Sequence, residues 1–149
     1  MKKIAIIYAS THHGNTKKLV DAISRNYPIT LIDTVQQTRA DLTDYDLIGF
    51  ASGIDFGKFY DSAERFLREN LPKNKQIFFL YTCAMKKDSF TKSLRQEAQK
   101  RDAVILGEYG CRGFNTYGPW KLIGGMNKGH PTEEEITGAV HFVGSLLKP

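Results

Sequence analysis

The sequence predicts a doubly wound α/β fold, one parallel sheet with helices on both faces. Three observations predict it: strand-length apolar runs, helical stripes between them, and the regular alternation of the two. The runs lie at 3–9, 29–33, 46–52, 76–83 and 103–111. Several are apolar over four or more consecutive residues, as in Ile77-Phe78-Phe79-Leu80-Tyr81. That suits strands covered on both faces, and strand–helix alternation then calls for right-handed crossovers.

Taken in order, Ile4-Ala5-Ile6-Ile7-Tyr8 follows two lysines and resembles a short leader. It runs into Ser10-Thr11-His12-His13-Gly14 and not a small-residue cleavage site, so it reads as the first strand. Thr16, Leu19, Val20 and Ile23 then form the stripe of a helix. The segment 34–44 is short and weakly patterned, which leaves a helix there open. Phe59, Ala63, Phe66 and Leu67 mark a second helical stripe, and Phe90, Leu94 and Ala98 a third. The last helix opens with Thr132-Glu133-Glu134-Glu135, a capping box whose acids also suit the positive end of the helix dipole. Its buried face is expected to comprise Ile136, Val140, Val143 and Leu147. One stretch breaks the rhythm: 112–131 holds glycine, proline and aromatic residues without a clear period, and such loops tend to be functional.

With 149 residues, 41% hydrophobic and 25% charged, the chain has the material for one packed domain spanning 1–149. A chain of this size buries roughly 70% of its extended surface on folding and needs no metal or disulfide. No apolar run is long enough to span a bilayer. The two cysteines, Cys83 and Cys111, are too few for a secreted disulfide framework and lack a zinc spacing, so a cytoplasmic protein is expected.

The net charge of +5 is unevenly spread: residues 1–30 and 63–102 are basic, 31–62 carry two bases against six acids, and 103–149 are balanced. A solvated helix face accounts for such basic segments more often than a nucleic-acid footprint does, and no recognition motif accompanies them. Nucleic acid is therefore not expected as a partner.

Chemistry concentrates in Tyr8-Ala9-Ser10-Thr11-His12-His13-Gly14-Asn15-Thr16. A buried strand enters a hydroxyl-rich turn and a helix begins at once, so donors and the helix dipole converge where a phosphate would sit. Neither G-x-G-x-x-G nor a Walker loop is present. Simple capping of the helix by Thr11 or Asn15 explains the same residues equally well.

Thr11-x-x-Gly14-Asn15-Thr16 after a first strand resembles the phosphate loop of flavodoxins, [ST]-x-[TS]-G-x-T. The resemblance continues in register through Asp41-Leu42-Thr43-Asp44-Tyr45-Asp46-Leu47-Ile48-Gly49-Phe50-Ala51-Ser52-Gly53, and then Tyr81-Thr82-Cys83-Ala84-Met85. It covers nearly the whole chain. It implies a five-stranded sheet of order 2-1-3-4-5, with FMN outside the carboxyl ends of strands one and three. It also implies that Thr11, His12, His13, Gly14, Asn15 and Thr16 hold the FMN phosphate. Ser52, Gly53, Ile54, Asp55, Phe56 and Gly57 would form one wall of the ring site, and Thr82, Cys83, Ala84, Met85 and Lys86 the other.

A protein tunes a flavin by charge and hydrogen bonds near its ring nitrogens. Glycines such as Gly53 and Gly57 let backbone approach the ring. Phe56 is balanced between stacking on the ring and packing in the core, whereas Phe59 fits its helical stripe. Asp55 beside the ring would lower the flavin potential, or else it is a solvated loop acid. The chain departs from the flavodoxin pattern in three places. His13 stands where the family has a hydroxyl residue, Met85 stands where an outer aromatic is usual, and the overall charge is basic where the family is acidic.

Cys83 and Cys111 fall at the carboxyl ends of neighbouring strands, where two reduced, partly buried thiols are expected more than a redox pair. His12 and His13 point in different directions and His130 and His141 are distant, so no metal is expected. No hydrolase element occurs. The loop around Gly113-Phe114-Asn115-Thr116-Tyr117-Gly118-Pro119-Trp120 reads as a lid or partner contact, or as a plug over the sheet edge. The expected function is electron transfer by an FMN-binding protein working with a reductase and an acceptor protein. An FMN-dependent quinone-type reductase and a flavin-free interaction domain are the alternatives.

Overall fold

A computed structural model describes residues 2–10, 14–85, 87–113 and 127–148. The elements in chain order are β1 (Ile4–Ala9), α1 (Asn15–Asn26), β2 (Ile29–Asp33), β3 (Leu47–Asp55), β4 (Lys58–Phe59) and α2 (Asp61–Asn70). Then follow β5 (Gln76–Cys83), a 3₁₀ turn (Asp88–Thr91), α3 (Lys92–Gln99), β6 (Val104–Arg112) and α4 (Glu133–Leu147). The five long strands run parallel in the order β2-β1-β3-β5-β6. This is the order 2-1-3-4-5 that the resemblance to flavodoxins implies, with the two-residue β4 added as an antiparallel partner of β3.

Side chains alternate across the sheet with period two. Ala5 and Ile7 of β1, Ile48 and Phe50 of β3, and Ile77, Phe79 and Tyr81 of β5 share a core with Phe66 and Leu67 of α2 and Leu94 of α3. Ile4 and Ile6, Leu47 and Ala51, and Phe78 and Leu80 share the opposite core with Leu19 and Ile23 of α1 and Ala139 and Val143 of α4. Each fully buried Ile, Leu or Phe contributes about 1.5–3 kcal/mol over its exposed state, so the continuous apolar runs are the main force holding the sheet. Phe59 meets Phe79 and Tyr81 edge-on, and Tyr81 meets Phe90 in the same way, adding aromatic contacts to the α2–α3 side.

Two details differ from the sequence expectation, and a third settles what it left open. β3 does not stop at Ser52 but runs to Asp55, because a hairpin at 56–57 supplies β4 as a partner. Phe59, assigned by its spacing to a helix, lies on β4, although it is buried in the core that the spacing implied. No helix forms between β2 and β3. There the Asp33 carboxylate accepts the Val35 amide at 2.9 Å and the Asp41 carboxylate accepts the Thr43 amide at 3.0 Å. Such local side-chain bonds satisfy the backbone as turns.

Candidate functional site at the carboxyl edge of the sheet

The order reverses between β1 and β3: the chain moves outward to β2, then returns across β1 to build the other half of the sheet. Loops leaving the carboxyl ends diverge there, and in open α/β sheets that crevice is the usual ligand site. Thr11, His12, His13 and Lys86 lie outside the described residues, as does the lid candidate 114–120.

The α1 side of the crevice is held by polar contacts. α1 is entered through Gly14, whose φ of 65° favours glycine. The Lys17 amide donates to Ser10 Oγ at 3.1 Å and the Lys18 amide to the Gly14 carbonyl at 3.1 Å. Thr16 is buried, and its Oγ1 lies 3.0 Å from Thr82 Oγ1 at the end of β5. Asn15 is also buried and packs on Gly113, where an added Cβ would come within 2.6 Å of Nδ2. The Gly113 amide donates to the Cys83 carbonyl at 3.0 Å. The first turn of α1 is thereby joined to the ends of β5 and β6. The Lys17 ammonium is 2.7 Å from Asp21, and that hydrogen bond raises its pKa. Below this turn the Tyr8 hydroxyl is raised above its ordinary pKa, first by burial and then by the Asp33 charge.

The expected first wall divides into a buried base and an exposed tip. Ser52 is fully buried; its hydroxyl donates to the Gly53 carbonyl at 2.6 Å and accepts the Tyr60 amide at 2.9 Å. Tyr60 lies over Gly53 so closely that a Cβ there would be 2.7 Å from the phenol oxygen. Ile54 is half-buried and Asp55 exposed, each paired with β4. Phe56 and Gly57 take φ of 50° and 76°, the primed type of two-residue hairpin turn. A bulky residue is rare at positive φ, and Phe56 is 96% exposed.

The second wall has the same division. Thr82 and Cys83 are buried, Ala84 is half-buried and Met85 is 55% exposed. The Ala84 carbonyl accepts Nδ2 of Asn127 at 2.6 Å, a contact from 43 residues away that the sequence pattern did not signal. Tyr60 was missed for a similar reason: its contact with Gly53 exists only once the hairpin has turned. Cys83 belongs to the core beneath α2 and α3, and Cys111 to that beneath α1 and α4, so the two thiols sit on opposite faces of the sheet. Both are buried, neither forms a disulfide, and the Cys83 thiol lies 3.5 Å from the Cys111 carbonyl.

Glu135 gathers the far side. Its carboxylate accepts the Thr132 amide at 2.8 Å and the Arg112 amide at 3.3 Å, and meets His130 Nδ1 at 2.5 Å. The Thr132 hydroxyl accepts the Glu135 amide at 3.2 Å, completing the expected capping box. Burial pushes the Glu135 pKa up, but the Thr132 amide, the His130 ring and the Arg112 amide outweigh it and hold the group below 4.5. The Tyr109 hydroxyl donates to the Glu135 carbonyl at 2.8 Å, and its pKa is raised chiefly by burial. Among the described residues no helix is long and apolar enough to cross a membrane, and no cluster of His, Cys, Asp or Glu forms a metal site.

Comparisons with known proteins agree with this architecture. The chain is 39% identical over 148 residues to an uncharacterized protein of Methanocaldococcus jannaschii, covering 98% of this chain and 99% of that one. A flavodoxin from the domain Archaea shares the fold with a TM-score of 0.59 at 16% identity, over 93% of this chain and 92% of its own. A flavoprotein from Lactobacillus acidophilus, solved in complex with FMN, superposes with a TM-score of 0.58 at 16% identity, over 75% of this chain and 93% of its own. The family model described as Flavodoxin domain matches residues 5–108, and the chain belongs to that family.

Proposed function

We propose that this protein binds FMN at the carboxyl edge of its sheet and carries electrons between partner proteins. The observation that carries the reading is the pair of exposed apolar side chains at the two expected ring walls. Phe56 and Met85 stand at 96% and 55% exposure, one on the loop after β3 and one on the loop after the neighbouring β5. Leaving large apolar groups in water is unfavourable, and a flat aromatic ligand between them removes that cost. The first turn of α1 is the matching phosphate site, since the leading amides of a helix lack intrahelical partners and the dipole favours an anion. Thr11, His12 and His13 complete the proposed phosphate loop with Gly14, Asn15 and Thr16.

When bound, the FMN ring supplies the redox chemistry. The chain's residues bind and tune it. Phe56 and Met85 cover the ring faces and exclude water. Asp55, exposed at the hairpin, sets a negative charge that opposes reduction. Ser52, Thr82 and Cys83 act from below, as buried groups that hold the two loops in place.

The test is the visible spectrum of the purified protein, followed by titration of the flavin-free form with FMN, FAD and riboflavin. A yellow protein, or tight binding that favours FMN, is expected. A folded, colourless protein that ignores all three flavins would overturn the reading in favour of an interaction domain. Turnover of a quinone with NAD(P)H alone would replace the carrier role with a reductase.

A further inference from the structure

Both expected ring walls rest on one short segment, the 3₁₀ turn at Asp88–Thr91. The second wall runs directly into it, with Met85 three residues ahead of Asp88. The first wall reaches it through β4, which closes the Phe56–Gly57 hairpin and packs against the turn. Phe90 of the turn is buried edge-on against Tyr81, with ring centres 5.4 Å apart. Tyr81 meets Phe59 of β4 in the same way at 6.2 Å. A shift of the turn therefore moves both walls.

The turn is held from the edge strand β6. Thr91 is 1% exposed, and its hydroxyl donates to Glu108 Oε1 at 2.7 Å while accepting Arg95 Nε at 3.1 Å. Arg95 Nη2 donates to the same carboxylate oxygen at 2.6 Å, which closes a ring of three side chains. The Arg95 guanidinium also lies over the Phe79 ring at 5.6 Å. Hydrogen bonds to ionised groups are the stronger kind, and members of a closed network polarise one another. Glu108 faces this way because the β5–β6 ladder slips by one residue: Ile77 pairs with Ile105, but Phe79 pairs with Glu108. Accordingly Ile105 packs on the α2–α3 side, whereas Tyr109, four residues on, packs on the other. In a regular ladder Gly107 would face α3 and Glu108 would turn toward α4. Re-aiming a side chain is what such an irregularity does beside a site.

We propose that Glu108 is a positioning residue for the ring site: through Thr91 and Arg95 it fixes the turn on which both walls rest, and so sets the gap between them. The proposal rests on the flavin reading of the carboxyl edge. It gives Glu108 no contact with the ring; the carboxylate acts on the ring only through the turn, β4 and the loop that bears Met85.

The experiment compares T91V and E108Q with wild type by two readouts. In the flavin-free protein, nitroxide labels at K58C and K87C, exposed positions on β4 and just before the turn, report the wall separation by dipolar EPR. The parent without these two substitutions corrects for any label on Cys83 and Cys111. Both T91V and E108Q should broaden the distance distribution. Each should also weaken FMN and riboflavin by the same factor, about tenfold, as loss of one charge-assisted hydrogen bond would. Equal factors identify the ring walls, because riboflavin lacks the phosphate and a general loosening would change the FMN-to-riboflavin ratio. T91S keeps the hydroxyl and should restore both readouts. E97Q alters an α3 carboxylate that pairs with Lys100 and Arg101 instead, and it should match wild type. An unchanged distance distribution in T91V and E108Q would overturn the proposal, as would broadening without loss of flavin affinity, or a changed FMN-to-riboflavin ratio. E108Q carries the test alone if T91V fails to fold. Walls that loosen in a protein whose wild type binds no flavin would remove the flavin reading and leave the brace standing.

Discussion

The buried Thr16–Thr82 pair shows how one hydroxyl contact can tie a helix to the sheet. The two oxygens, 3.0 Å apart, join α1 to β5 where water is excluded. Thr16→Val leaves Thr82 without that partner, and an unsatisfied buried hydroxyl costs about 1–3 kcal/mol. We expect T16V to lower unfolding free energy by that amount in urea titration, and T16V/T82V to recover part of it. Strict additivity of the two changes would show the hydroxyls do not interact. Phe56 makes the opposite trade. It occupies a left-handed turn position that disfavours a bulky side chain, and it gains nothing by burial in the free protein. Phe56→Asn creates the Asn-Gly pair preferred in this turn, so the flavin-free protein should be stabilised by up to about 1 kcal/mol. FMN affinity should fall at the same time. Unchanged affinity would remove Phe56 from the ring wall.

Among the elements, α4 is the one whose start was plain in the sequence and whose reach was not. Thr132 and Glu135 stand at capping-box spacing, and the box forms. That Glu135 also binds the Arg112 amide and His130 depends on β6 ending beside α4, a relation between distant segments that local spacing does not encode. The same distinction separates β3 from the other strands. Its apolar run stops at Ser52, but Gly53 still pairs with β5 and the Phe56–Gly57 turn adds pairing at Ile54 and Asp55. The absent helix after β2 is the converse case, since Asp33 and Asp41 each bind a nearby amide and end any helical tendency. For Glu135 the pH consequence has a definite sign. A carboxyl held below its unfolded value contributes stability above that value and loses it as pH falls through the folded one. Glu135→Gln should therefore destabilise the protein by about 1 kcal/mol near neutral pH. The gap from wild type should close below pH 4.5, as read from thermal melts across that range. A gap that does not narrow as pH falls through the acid range would mean that packing, and not charge, is what the substitution removes.

At the scale of the whole molecule, the layered parallel sheet was legible because continuous apolar runs demand cover on both faces, and the helical stripes supply it, whereas the strand order came from the resemblance to flavodoxins. The crevice was legible too, since a sheet of this order has one reversal point. What fills the walls was less so. Exposure of Phe56 and Met85 follows from turn geometry, and Tyr60 and Asn127 come to the edge through long-range contacts. The two thiols carry a further consequence. Because the sheet itself stands between Cys83 and Cys111, each 5% exposed in the folded protein, the two sulfurs report on opposite sides of it. Alkylation rates at the two sulfurs thus compare how readily the two sides of the sheet open at its carboxyl edge, and unequal rates would identify the side that opens first.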